Sequence, residues 1–337
     1  MLPFLGKIGP VLIPTMAVFW CLGYLVSAIV AIAFSRRQGL KMSEVLGLLI
    51  VTCTASVIGA KISAVLLLTQ PEELRWFFRH PAEIVKFWIP GFSFYGVVFF
   101  IAAAGLWYIL RNSLPVWRTA DIFIPTISLG HAVQSIGDFL AGAHPGRPTD
   151  LPWGISIHHW TFRGLKWVPL HPVMLYIFVI SFIGFVTAWA WLQARDHPEE
   201  KFFLSWMYRP VFRILKLKFI DGELYFLGGG FYAFFRFFAE FFRDPRTLIW
   251  YPNFPLPQTQ VACIVFFILC WGWYFALRAI WETEQAGLPY RGWMKFCFRL
   301  KVGLRWLAKR IPDKVKSEKC EIKSKKFKTP ENIIIKQ

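Results

Sequence analysis

Arg236, Glu240 and Arg243 stand out because of what surrounds them: from Tyr225 to Phe242 the chain is otherwise almost entirely apolar and aromatic. Arg236 and Glu240 are four residues apart and share a face if the segment is helical, and Arg243 follows within another turn. An apolar segment of this length reads as membrane-spanning, where a charge costs several kcal/mol, roughly 2.5–3.5 on insertion scales, unless it is paired or hydrated. A guanidinium can hold two phosphate oxygens at once and stays charged, so Arg236 is the candidate phosphate clamp. Glu240, one turn on, would orient that arginine or neutralise it. The plainer reading is a buried Arg–Glu pair that fastens two helices. Arg243, next to Asp244-Pro245 at the segment's end, is expected as a solvated interfacial charge.

A second set lies upstream. His131, Ser135 and Asp138 recur at spacings of four and three, one face of a helix. A histidine beside a carboxylate is a competent base near neutral pH, and a polar packing face is the plainer alternative. Histidines 144, 158, 159 and 171 lack ligand spacing, so no metal is expected. The six cysteines, at 21, 53, 263, 270, 297 and 320, form no CxxC and are read as free thiols. No cofactor is implied.

The elements that must position these residues are transmembrane helices. The 337-residue chain is 56% hydrophobic and 18% aromatic, with 17 Trp and a mean hydropathy of +0.46, which excludes an ordinary soluble domain. Apolar runs of about the length needed to cross a bilayer predict an all-α polytopic membrane protein with seven spans near 12–34, 45–68, 92–110, 120–141, 173–193, 224–242 and 260–280. Arg36, Arg37, Lys41, Arg111, Arg118 and the basic run from Arg195 to Lys218 fall on one side with the C-terminal region. The positive-inside bias therefore puts the N-terminus outside, in the periplasm, and the C-terminus in the cytoplasm. The net charge of +18 concentrates in the tail, where 16 Lys/Arg face 6 Asp/Glu from Arg278 onward. That is the signature of a cytoplasmic flank on an anionic leaflet, not of nucleic-acid binding. The chain divides into a membrane domain, 1–285, and a basic tail, 286–337, expected to be partly disordered. The first apolar run is too long for a cleavable signal and reads as an anchor. Two outer loops, 70–91 and 142–172, carry Trp, Pro and His and are expected to cover part of a site.

Tyr232-x3-Arg236-Phe237-x2-Glu240-Phe241-x-Arg243-x-Pro245 resembles the late signature of the prolipoprotein diacylglyceryl transferases, bacterial inner-membrane enzymes that lipidate lipoprotein precursors. Other pieces follow in the family's order: Gly59-Ala-Lys-Ile62, Pro90-Gly-Phe-Ser-Phe-Tyr-Gly96, Gly137 through Thr149, Leu170-His-Pro-Val-Met-Leu-Tyr176 and Gln260. The resemblance covers roughly residues 10–280, and seven spans with an outer N-terminus agree with it. It also shows departures. The family's catalytic histidine corresponds to Tyr95, its signature arginine to Ser135, its asparagines to Asp138 and Ala141, its glutamate to Ala143, and an early arginine to Lys61.

The resemblance implies transfer of a diacylglyceryl group from phosphatidylglycerol to the cysteine near a prolipoprotein signal peptide, with glycerol phosphate leaving. On it, catalysis falls to Arg236, Glu240 and Tyr95, with His131 added from its helical spacing and not from the family pattern, and substrate binding to Lys61, Ser135, Asp138, Arg147, Tyr232 and Arg243. Tyr95 is a poor base, since a phenol near pKa 10 stays protonated at neutral pH, though it can donate a hydrogen bond to phosphate; His131 is the candidate substitute base, against the plainer polar packing face. Lys61 keeps a positive charge as a point and not a fork. Two other readings stand beside this one: a non-catalytic relative that binds lipid, signal peptides or another membrane protein, and a transporter whose Arg236/Glu240 pair lines a permeation path.

Overall fold

Each of the seven predicted apolar segments is a helix in the computed structural model, which describes residues 2–9, 11–68, 79–80, 94–156, 168–196, 219–248 and 255–286. They are α1 (Thr15–Arg37), α2 (Met42–Leu68), α3 (Phe94–Arg111), α4 (Val116–Ala141), α5 (Val173–Asp196), α6 (Glu223–Ala239) and α7 (Gln258–Gln285). The stretch Pro90–Ser93, most of the 70–91 loop, His158, His159 and Trp160, and the tail from residue 287 lie outside the described residues.

Four of these helices are long and apolar enough to cross a membrane by length and composition: α1, α2 over Met42–Ser63, α5 and α7. A shorter apolar stretch, Phe99–Arg111, belongs to α3. Of the three that fall short, α4 and α6 carry the candidate site, and the packing gives the reason. α4 is the central helix, packed on α1, α5, α6 and α3. It buries Thr119, Asp121, Thr126, Ser135 and Asp138 against protein and has less need of a lipid-compatible surface. α6 is only 17 residues long and lies between α4, α5 and α7. Its outer face is a strip of exposed phenylalanines, Phe231, Phe234 and Phe238, continued by Phe241 and Phe242, as suits a surface that meets hydrocarbon.

The first helix begins at Thr15, three residues after the predicted start, because residues 11–14 pair instead with Phe4–Ile8 in an antiparallel hairpin turning at Gly9, whose φ of +58° is left-handed. The hairpin is tied to the end of α4 by Leu2 N–H donating to Leu140 O at 2.8 Å. Glycine permits a close crossing of α1 and α4: a Cβ on Gly130 of α4 would lie 2.0 Å from Ser27 Oγ and 2.9 Å from Gly23 O of α1. Gly228, Gly229 and Gly230 do the same for α6 against Ile124 of α4 and Cys270 and Trp271 of α7.

At the end of the bundle remote from Arg243, the fully buried Asp121 of α4 fixes where α6 starts. Its carboxylate accepts from the Gly222 and Tyr225 N–H groups at 2.8 and 2.9 Å and from Arg195 Nη1 of α5 at 2.7 Å. A carboxylate on the first-turn N–H groups satisfies donors that the helix cannot and complements its dipole. Glu223, buried in that same turn, accepts from Arg278 of α7 at 2.6 Å. One end of α6 is thus locked to three neighbours, and its other end presents Arg236, Glu240 and Arg243.

Candidate active site

α6 ends at Ala239 and tightens into a 3-10 turn over Glu240–Phe242, after which Arg243 is extended. The change of winding turns Arg243 back across Glu240. Glu240, 1% exposed, pairs in charge with Arg236 Nη2 at 2.5 Å through one oxygen and accepts from Arg243 Nη1 at 3.4 Å on the other. One buried carboxylate therefore stands between two guanidiniums. The pair lies within a single helix end, so it does not fasten two helices. Arg243 is also not the solvated interfacial charge its position suggested: it is 7% exposed and its Nη2 donates to His144 Nδ1 at 2.6 Å.

His144 follows the end of α4, where Gly142 forms a left-handed cap (φ +75°). His144 is left-handed too, with φ +54°, and this turns its ring toward Arg243. Burial, with Arg243 and then Arg236 adding to it, pushes its pKa down to about 3, so the ring is neutral and accepts the guanidinium proton. The chain then runs extended between two partners. Arg147 N–H donates to Phe242 O at 2.8 Å, Asp244 N–H to Pro145 O at 3.0 Å, His171 N–H to Arg147 O at 3.0 Å and Thr149 N–H to Pro169 O at 2.9 Å. This explains the Gly146-Arg147-Pro148-Thr149 motif, because a Cβ on Gly146 would meet His171 O at 2.2 Å. Arg147 is exposed and its Nε donates to Arg243 O at 3.2 Å.

One turn before Arg236, the Tyr232 hydroxyl meets His131 Nε2 of α4 at 3.1 Å, and His131 Nδ1 meets Ser181 Oγ of α5 at 3.0 Å. The ring partners of His131 are thus Tyr232 and Ser181, where the spacing suggested Asp138. Asp138, 6% exposed, accepts instead from Trp20 Nε1 of α1 at 3.2 Å and lies within electrostatic reach of Arg236. The Ser135 hydroxyl, 2% exposed, is turned back to donate to His131 O at 2.8 Å. Gln260 is buried and donates to Phe237 O at 3.2 Å, which steadies the last turn of α6 from α7.

The structure therefore brings together Arg236, Glu240, Arg243, Tyr232, His131, Asp138 and, by its backbone, Arg147. Lys61 is 3% exposed on α2, whose partners are α3 and α1, and Tyr95 lies in the first turn of α3. These two belong to a neighbouring helix pair. Three contributors escaped the sequence: Ser181, Trp20 and His144. Ser181 and Trp20 belong to no spaced motif, and His144, though within the Gly137–Thr149 stretch, matches no functional position of that motif and lacks metal-ligand spacing. Among the described residues no His/Cys/Asp/Glu group could hold a metal ion.

Fold and site define a class: a polytopic helical membrane protein with a paired guanidinium–carboxylate cluster at one end of its bundle, suited to an anionic headgroup. Residues 3–276 match the prolipoprotein diacylglyceryl transferase family, and the chain belongs to that family. It is 28% identical over 272 residues to the phosphatidylglycerol–prolipoprotein diacylglyceryl transferase of Azoarcus sp., covering 78% of this chain and 89% of that one. The enzyme of the same name from Geobacter sulfurreducens is 23% identical over 269 residues, covering 79% and 92%. That from Aromatoleum aromaticum is 27% identical over 248 residues, covering 72% and 82%.

Proposed function

We propose that the protein is a phosphatidylglycerol–prolipoprotein diacylglyceryl transferase of a bacterial inner membrane. In this reading it has seven spans, an outer N-terminus and an inner basic tail beyond residue 285. The observation that carries the reading is the Arg236–Glu240–Arg243 cluster, within a chain that matches the family from residue 3 to 276. In the reaction the lipobox thiol sulfur bonds to the glyceryl carbon that carries the phosphate, the carbon–oxygen bond breaks, and glycerol phosphate leaves with the electron pair. Arg236 holds the phosphate and meets its growing charge, which is where fixed cations lower a barrier most. Glu240 keeps both guanidiniums aimed without binding substrate strongly itself. Tyr232, Asp138 and Arg147 border the place of the headgroup and peptide in this reading, and Ser135, Lys61 and Tyr95 are assigned to substrate by the family resemblance alone.

The test is complementation of a strain depleted of its own diacylglyceryl transferase, followed by mass spectrometry of a model lipoprotein. The expected result is growth and a diacylglyceryl mass increment on the lipobox cysteine, both abolished by Arg236→Ala. A well-expressed protein that adds no diacylglyceryl group overturns the reading. Unimpaired transfer by Arg236→Ala overturns the clamp.

A further inference from the structure

Transfer to a thiol requires a base, because the thiolate is the nucleophile, and the Arg236–Glu240–Arg243 cluster supplies mainly cations. Glu240 is engaged by two arginines, and His144 is spent on Arg243. Beside it, among the described residues, runs a part-buried chain of exchangeable protons: Ser181 Oγ to His131 Nδ1 at 3.0 Å, and His131 Nε2 to the Tyr232 hydroxyl at 3.1 Å, with the His131 and Tyr232 rings edge to face at 5.3 Å. Three helices contribute one member each, and Tyr232 sits one turn from Arg236 on the same face of α6. We propose that Ser181, His131 and Tyr232 are a proton relay for the acceptor thiol. The proposal rests on the transferase reading.

In the relay, Ser181 Oγ accepts from Nδ1–H and so fixes the tautomer that leaves Nε2 as an acceptor. Nε2 holds the phenolic proton of Tyr232, and the phenolic oxygen presents a lone pair toward the site. The incoming S–H proton passes to that oxygen as the tyrosine proton passes to Nε2. The sulfur lone pair forms the bond to the glyceryl carbon, and the carbon–oxygen electrons leave with the phosphate. The imidazolium then returns its proton through Tyr232 to the departing phosphate, and the cycle closes. Tyr232 is the member that touches substrate. His131 and Ser181 are positioning residues that act through it. Among the described residues the groups around the His131 ring are Tyr232 and Arg236 from α6 and Ser181 from α5, and the charge acting on it is that of Arg236.

The test uses the full-length protein in phosphatidylglycerol mixed micelles with a lipobox peptide. Transfer is measured against pH, alongside vesicle binding and the unfolding midpoint, for Tyr232→Phe, His131→Gln and Ser181→Ala. Positioned proton transfer contributes about 10²–10⁴ in rate. Tyr232→Phe and His131→Gln are therefore expected to lose at least ~100-fold, and Ser181→Ala about tenfold, with vesicle binding unchanged. The rate of His131→Gln should climb with pH only as the free thiol ionises near its reference value of about 8.5. A selenocysteine peptide, already ionised at neutral pH, should restore most of what His131→Gln and Tyr232→Phe lose. Equal losses on cysteine and selenocysteine peptides, or losses that track unfolding or lipid binding, overturn the relay and leave the transferase reading standing. A native protein that transfers nothing overturns both. If His131→Gln fails to fold, Tyr232→Phe and Ser181→Ala decide by the same selenocysteine comparison.

Discussion

Changing Glu240 to glutamine keeps the size and planarity of the side chain and removes the one negative charge between Arg236, at 2.5 Å, and Arg243, at 3.4 Å. At an effective dielectric of about 20, a charge pair near 4 Å apart interacts by about 4 kcal/mol. Desolvation offsets most of that gain in the intact cluster, so the cluster itself contributes little net stability. Breaking it is another matter, since one buried and one largely buried guanidinium are left with their shared partner gone, at about 3–5 kcal/mol. Asp138 remains within electrostatic reach of Arg236, and the Arg243 contact is the longer, so the lower end is expected. About 3 kcal/mol is roughly a 150-fold fall in the folded-to-unfolded ratio. The assay is reversible unfolding in mixed micelles, followed by the fluorescence of the 17 tryptophans. Arg236→Gln combined with Glu240→Gln should cost at least ~1 kcal/mol less than the sum of the two single changes, the coupling expected of residues in contact. A Glu240→Gln protein within about 0.5 kcal/mol of the native one, or strictly additive single changes, would refute the argument that this carboxylate is what makes two buried cations tolerable.

Three further outcomes follow from the same geometry. Gly146→Ala places a Cβ against the His171 carbonyl at 2.2 Å, and relief requires backbone movement between 145–149 and 169–171. The expectation is a loss of about 1–3 kcal/mol with reduced transfer, read by unfolding and by peptide lipidation. His144 is held neutral by burial and two arginines with its pKa near 3, against 6.5 unfolded. The unfolded chain therefore takes up a proton first as pH falls, and stability is full above about 6.5 and declines toward 3. His144→Gln should flatten that decline, and an unchanged pH dependence of the unfolding midpoint would sink the assignment. Gly130→Leu must force α1 away from α4, where Ser27 Oγ already lies 2.0 Å from a bare Cβ. The protein should misfold or unfold at a markedly lower midpoint, whereas Ile29→Leu at an exposed position of α1 should not.

Much of the architecture was legible because the signals are local. Twenty-residue apolar runs must hydrogen-bond their own backbone in a bilayer, so each predicted segment is a helix with ends displaced by a few residues. The displacements have local causes as well: residues 11–14 pair with 4–8, and the end of α6 tightens at Glu240. Likewise, a spacing of four places Arg236 on Glu240 in any helix, and that contact is present. Arg243 was misread because its neighbours Asp244 and Pro245 suggest a helix end in water. What buries it is the 142–149 chain returning from α4, a contact that spans about a hundred residues and leaves no mark in the local pattern. For the same reason His131 was paired in sequence with Asp138, its helical neighbour, whereas in the bundle it meets Tyr232 and Ser181 from two other helices.

By itself, then, the sequence determined the helices, the apolar solvent they suit and the face that carries Tyr232, Arg236 and Glu240, because period and burial cost act over a few residues. Tertiary packing alone decided the partner of each polar group. Which helix supplies the nearest donor or acceptor depends on close glycine crossings and on loop closure. In a low-dielectric interior the group that happens to be nearest fixes both charge state and role.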